Sequence, residues 1–97
     1  MTSTTPAQQA PDDADPTAVG AVTVRYWAAA RAAAGRDTEL LPGTTVGAVV
    51  DAAVALHPEL ERVAQVATFL LDGAKVGRHS AVAAGATVEV LPPFAGG

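Results

Sequence analysis

Between Pro42 and Pro58 the chain carries one apolar stripe at helical spacing: Val46, Val49, Val50, Ala53 and Val54. Thr45 precedes the stripe, where a hydroxyl can accept from a free backbone N–H of the first turn. Pro58 follows it, where a helix has to stop. A chain of 97 residues has room for one small core. This helix must therefore supply one layer of that core, and the flanking segments must supply the other.

Those segments read as short strands. In "VTVRYW", Val22, Val24 and Tyr26 fall on one face and Thr23, Arg25 and Trp27 on the other, the alternation of a half-buried strand. "AAARAAAG" is a short helix closed by Gly35, "DTELL" a second strand and "PGTT" a turn. "PELERVA" predicts another short helix with Pro58 at its first position and Leu60, Val63 and Ala64 turned inward. In "VATFLLDGAKV" the Asp72-Gly73 pair suits a type I′ hairpin turn. A turn near Gly85 leads into a last strand, Thr87 to Leu91, with Val88 and Val90 on one face. Pro92 and Pro93, which have no N–H to donate, end the pairing. The order predicts an α+β domain, a single mixed sheet packed on one main helix, with Val49, Val50, Val54, Phe69 and Leu71 in its core.

Composition removes several kinds of chemistry. There is no cysteine, so disulfides, thiolate metal sites and a cysteine nucleophile are excluded. His57 and His79 are too far apart to form a local ligand pair, so no metal site is expected, and His57 reads as a partly exposed residue near the negative end of the main helix. Net charge is −4, of which Asp12, Asp13 and Asp15 give −3 within residues 1–20, leaving six basic residues against seven acids in residues 21–97. The folded part has no basic stripe, so nucleic-acid binding lacks its electrostatic footprint. No run reaches the length of a membrane span and no basic, then apolar, leader opens the sequence; a cytoplasmic protein is expected. Residues 1–20 hold three prolines and no apolar periodicity, which predicts a disordered arm before a domain over 21–91.

The last stretch, 92–97, reads as a projecting tail. Six extended residues span up to ~20 Å. Pro92 and Pro93 stiffen its base, Phe94 is an apolar anchor for a partner's pocket, and after Ala95 the side-chain-free Gly96 and Gly97 suit a narrow channel. A stiff base, an anchor and a slim tip suit insertion into another protein's active site.

From about Val22 to Gly97 the chain resembles the MoaD/ThiS family of ubiquitin-like sulfur carriers, and more closely its MoaD branch. "VRYWAAAR" is similar to the family's first strand followed by an aromatic–alanine pair and an arginine. "LPGTTVGAVVDAAVALHPEL" is similar to its turn and long helix, "FLLDGAKV" to its hairpin, and "AGATVEVLPPFAGG" to its ending. Trp27 stands where the family often has Phe, and Phe94 where a smaller branched residue is frequent.

The resemblance implies a β-grasp fold and a reacting chain end. A free α-carboxylate, with a pKa of ~3.5, is ionised and a poor electrophile. ATP-dependent adenylation of Gly97 by a MoeB-like enzyme would activate it, and a sulfur donor would convert it to a thiocarboxylate. The chain would itself bind no cofactor, ATP being used by the activating partner. As the small, non-catalytic subunit of molybdopterin synthase it would then give sulfur to a pterin inside a MoaE-like large subunit. Pro92, Pro93, Phe94, Ala95 and Gly96 would contact these partners, and so would Arg31, which matches the family's arginine after the first strand; a solvated arginine is the alternative there. The same tail also suits sulfur carriers for thiamine, cysteine or tRNA thiolation, and a ubiquitin-like modifier joined through Gly97 to a lysine. An interaction module with a passive tail is a further alternative.

Overall fold

The computed structural model describes residues 21–93. The expected arm at 1–20 and the tail residues Phe94, Ala95, Gly96 and Gly97 lie outside the described residues. The main helix, α2 (Val46–Leu56), forms where its stripe requires it. Thr45 Oγ1 accepts from the Ala48 N–H at 3.1 Å, and Val46, Val49, Val50 and Ala53 are buried. The helix ends before His57, whose N–H bonds back to the Ala53 carbonyl at 2.8 Å.

Around it lie β1 (Ala21–Tyr26), α1 (Ala28–Ala34), β2 (Thr38–Pro42), α3 (Leu60–Val66), β3 (Thr68–Leu71), β4 (Ala74–Val76) and β5 (Thr87–Leu91). The five strands form one mixed sheet in the order β2-β1-β5-β3-β4. β1 and β5 run parallel at its centre, in register Val24↔Val88 and Tyr26↔Val90. β2 is antiparallel to β1, with Val22↔Leu41, and β3 is antiparallel to β5, with Phe69↔Val90. The inward face carries Val22, Val24, Tyr26, Leu41, Phe69, Val88 and Val90, all buried. Alternation puts Arg25, Leu40 and Glu89 on the opposite face. The hairpin turn has the expected geometry, with φ of 49° at Asp72 and 90° at Gly73.

Two readings of the sequence are corrected. Pro58 does not begin α3; it sits two residues ahead, in a turn where the Leu60 N–H bonds to the His57 carbonyl at 2.8 Å. Val54 and Leu71 are half-buried, packing against the core from its margin. Tyr26 and Leu60 head the largest fully buried side chains instead.

His57 is partly exposed at the end of α2, as expected, and makes a contact that the sequence did not show. Its ring turns inward, with the side chain 19% exposed, and Nε2 lies 2.6 Å from Glu39 Oε1 and 3.2 Å from Oε2. Glu39 is itself buried, brought to the inner face of β2 by the same alternation that buries Leu41. The Arg36 guanidinium stands 3.8 Å from the same carboxylate. Removing one member of such a group strands the other in low dielectric. Glu39→Ala is expected to cost about 2–4 kcal/mol in urea unfolding.

The Tyr26 hydroxyl is buried in the same region and makes no well-formed hydrogen bond among the described residues. Burial first, and the Glu39 charge second, push its phenol well above its ordinary range. The folded pKa therefore exceeds the unfolded one. Below about pH 10 both states hold the proton and stability does not depend on this group's titration. As pH rises further the unfolded chain loses its proton first, and stability falls by about 1.4 kcal/mol per pH unit until the folded phenol ionises too. Tyr26→Phe is expected to remove that alkaline slope from urea midpoints and to leave stability at neutral pH unchanged or slightly raised.

Candidate functional site

The site is built where β5 leaves the sheet. β5 is hydrogen-bonded on both sides, to β1 and to β3, and its ladder persists to the pair Thr68↔Leu91. Leu91, at the end of the strand, is therefore held at a fixed point of the fold. Pro92 is buried and Pro93 exposed. The expected tail began at Pro92, but Pro92 packs into the domain and only Pro93 of the pair is exposed.

Trp27 braces the same end of the sheet. Its backbone N–H donates to the Val90 carbonyl at 3.2 Å, and its indole N–H donates to Glu89 Oε1 at 2.8 Å. The Arg25 guanidinium lies 5.1 Å from the ring centroid, a cation–π contact. An aromatic residue with a polar edge suits this position, because the ring covers the open face while its N–H reaches the last strand.

Beside Pro92 and Pro93 runs an apolar groove of about 280 Å³, walled by Ala29 of α1 and by Arg62, Val63 and Val66 of α3. The sequence reading turned Val63 inward but did not single out Ala29, Arg62 or Val66. Its one available signal was Val66, an apolar residue at the end of "LERVAQV" that the inward set left over.

Arg31 is not among the groove's walls. It pairs with Asp37 at 3.3 Å on an open surface, an interaction worth little in water. A second hollow of about 390 Å³ between α2 and α3 contains Asp51 and Arg78, which neutralise each other at 2.8 Å. Among the described residues no three His, Cys, Asp or Glu side chains come close enough to hold a metal ion. No helix among them is long and apolar enough to cross a membrane.

The ThiS family model matches residues 24–97. No curated protein matches the chain. Among solved structures it is similar to SAMP1 from Haloferax volcanii, at 30% identity and a TM-score of 0.72, over 80% of this chain and 100% of that one. It is also similar to a chain of the BexX/CysO complex from Amycolatopsis orientalis, at 24% identity and a TM-score of 0.68, covering 78% of this chain and 99% of that one. A third likeness is to a chain of the complex of subunits 1 and 2 of molybdopterin-converting factor from Helicobacter pylori, at 17% identity and a TM-score of 0.61, covering 79% and 99%. The last two bear on the fold alone. A β-grasp sheet whose central strand delivers the chain end, together with a family match running through the final glycines, places this chain in the ThiS/MoaD family of ubiquitin-like sulfur carriers and modifiers.

Proposed function

We propose that the chain carries sulfur on Gly97 and delivers it for molybdopterin synthesis as the small subunit of the synthase. The observation that carries this reading is the junction at Leu91–Pro93. A strand fixed on both sides feeds directly into a segment that the family model follows to residue 97. In this scheme a MoeB-like enzyme joins the Gly97 carboxylate to AMP, releasing pyrophosphate from ATP. Sulfide displaces AMP to give the thiocarboxylate directly. A persulfide displaces it to give an acyl disulfide, which a thiol reduces to the same product. Inside a MoaE-like subunit the sulfur passes to a pterin carbon, and water returns Gly97 to the carboxylate. A chain of this fold is one component of the complex of subunits 1 and 2 of molybdopterin-converting factor from Helicobacter pylori.

A second reading, covalent modification of a target lysine, is favoured by the likeness to the archaeal modifier protein SAMP1. Both begin with adenylation, and intact-protein mass spectrometry separates them. The chain is incubated with ATP, the adenylating enzyme and a sulfur donor. Replacement of one oxygen by sulfur, followed by loss of that sulfur to a pterin in the presence of the large subunit, is the expected result. Accumulation of higher-mass lysine conjugates with no thiocarboxylate would reject the sulfur-carrier reading.

A further inference from the structure

Pro92 and Pro93 do not open onto bare solvent; they form one wall of the groove whose others are Ala29, Arg62, Val63 and Val66. Val66 is 62% exposed, a large apolar side chain left in water at the groove's edge. Arg62 makes no ion pair among the described residues, and its aliphatic stem completes the wall. The next residue in sequence is Phe94, the one large apolar side chain among residues 94–97. The chain beyond the described residues therefore begins beside an apolar groove, and its first residue is the large apolar one.

We propose that in the free chain the tail parks in this groove, with the Phe94 ring against Val63 and Val66 and the Arg62 guanidinium at the ring face. The proposal rests on the reading of Gly97 as the reacting end and adds a control to it. With Phe94 seated, the three residues beyond it reach at most ~11 Å, so Gly97 stays close to its own domain. An activating enzyme must then offer Phe94 a better pocket than the groove does before the carboxylate can enter its active site. The same seat would shelter a loaded thiocarboxylate between partners.

The test uses the full chain, isotope-labelled, in solution. Nuclear Overhauser contacts are expected from the Phe94 ring to Val63 and Val66 methyls, with upfield shifts of those methyls relative to Phe94→Ala. Both are lost in Val66→Glu, which alters an exposed position and should keep the remaining spectrum. Absence of these contacts, or methyl shifts identical in wild type and Phe94→Ala, overturns the proposal. Contacts seen only between differently labelled copies, growing with concentration, overturn it too and assign the groove to a second molecule's tail. Sulfur loading of Val66→Glu, followed by mass, keeps the two readings apart. Loading without ring–methyl contacts in the wild type sinks the parked tail alone, whereas contacts without any loading sink the carrier reading alone.

Discussion

A chain lacking Gly97 is expected to fold like the intact domain and to take up no sulfur. The fold's hydrogen-bonded ladder ends at Leu91, and its buried apolar cluster lies between Val22 and Val90. Deleting residue 97 touches none of this, so the unfolding free energy in urea should be unchanged within about 0.5 kcal/mol. The chemistry is more demanding. The shortened chain still ends in a glycine carboxylate, but that group is set back by about 3.5 Å along an extended tail. Errors near 1 Å can already cost roughly 100-fold when reacting groups must be aligned. A loss of thiocarboxylate of at least about 1,000-fold is the expected result, read as the mass of the intact protein after a fixed incubation. Undiminished sulfur uptake by the shortened chain would place the reacting group elsewhere.

The parts of this fold that were legible in the sequence are those specified locally. The stripe of α2 needed only the spacing of five apolar residues and a threonine before them. The hairpin needed only Asp72-Gly73, because few residue pairs accept two successive left-handed conformations. The unread parts depend on residues far apart in the chain. Glu39 and His57 are separated by 18 positions. The reading of "DTELL" as a strand did not assign Glu39 a face, and nothing local named the histidine that meets it. The groove is assembled from α1, α3 and the end of β5, three elements whose adjacency exists only after folding. Pro92 was misread for the same reason. Two prolines in sequence look like a stalk, but the ladder on both sides of β5 and the helices beside it draw the first of them into the domain.

Gly43→Ala should be among the most damaging single substitutions in the folded part, although it adds one methyl group at a half-exposed turn. Gly43 joins β2 to α2 with φ at 152°, a conformation that side-chain-bearing residues rarely adopt. A Cβ there would lie 2.6 Å from Val49 Cγ2 and 2.9 Å from the Val49 backbone nitrogen. The side chain of Val49 could rotate only into a packed core, since Val49 is fully buried. Its nitrogen cannot yield either, because it donates to the Thr45 carbonyl at 3.0 Å in the first turn of α2. Relief of the clash therefore has to come from moving the turn away from the main helix. Backbone strain of about 1–3 kcal/mol and overpacking of about 1–3 kcal/mol act together. A total near 3–4 kcal/mol would lower the melting temperature by about 15–25 °C in a domain this small. Gly73→Ala provides the control: φ is 90° there, but nothing lies within 4 Å of the added carbon. It should show the strain without the collision and so cost roughly half as much. Gly77→Ala, where φ is unremarkable and no atom lies within 4 Å of the new carbon, should melt with the wild type. Equal melting temperatures for the Gly43 and Gly73 variants would mean that the turn can withdraw from Val49 freely, and that the seam between β2 and α2 is looser than these distances require.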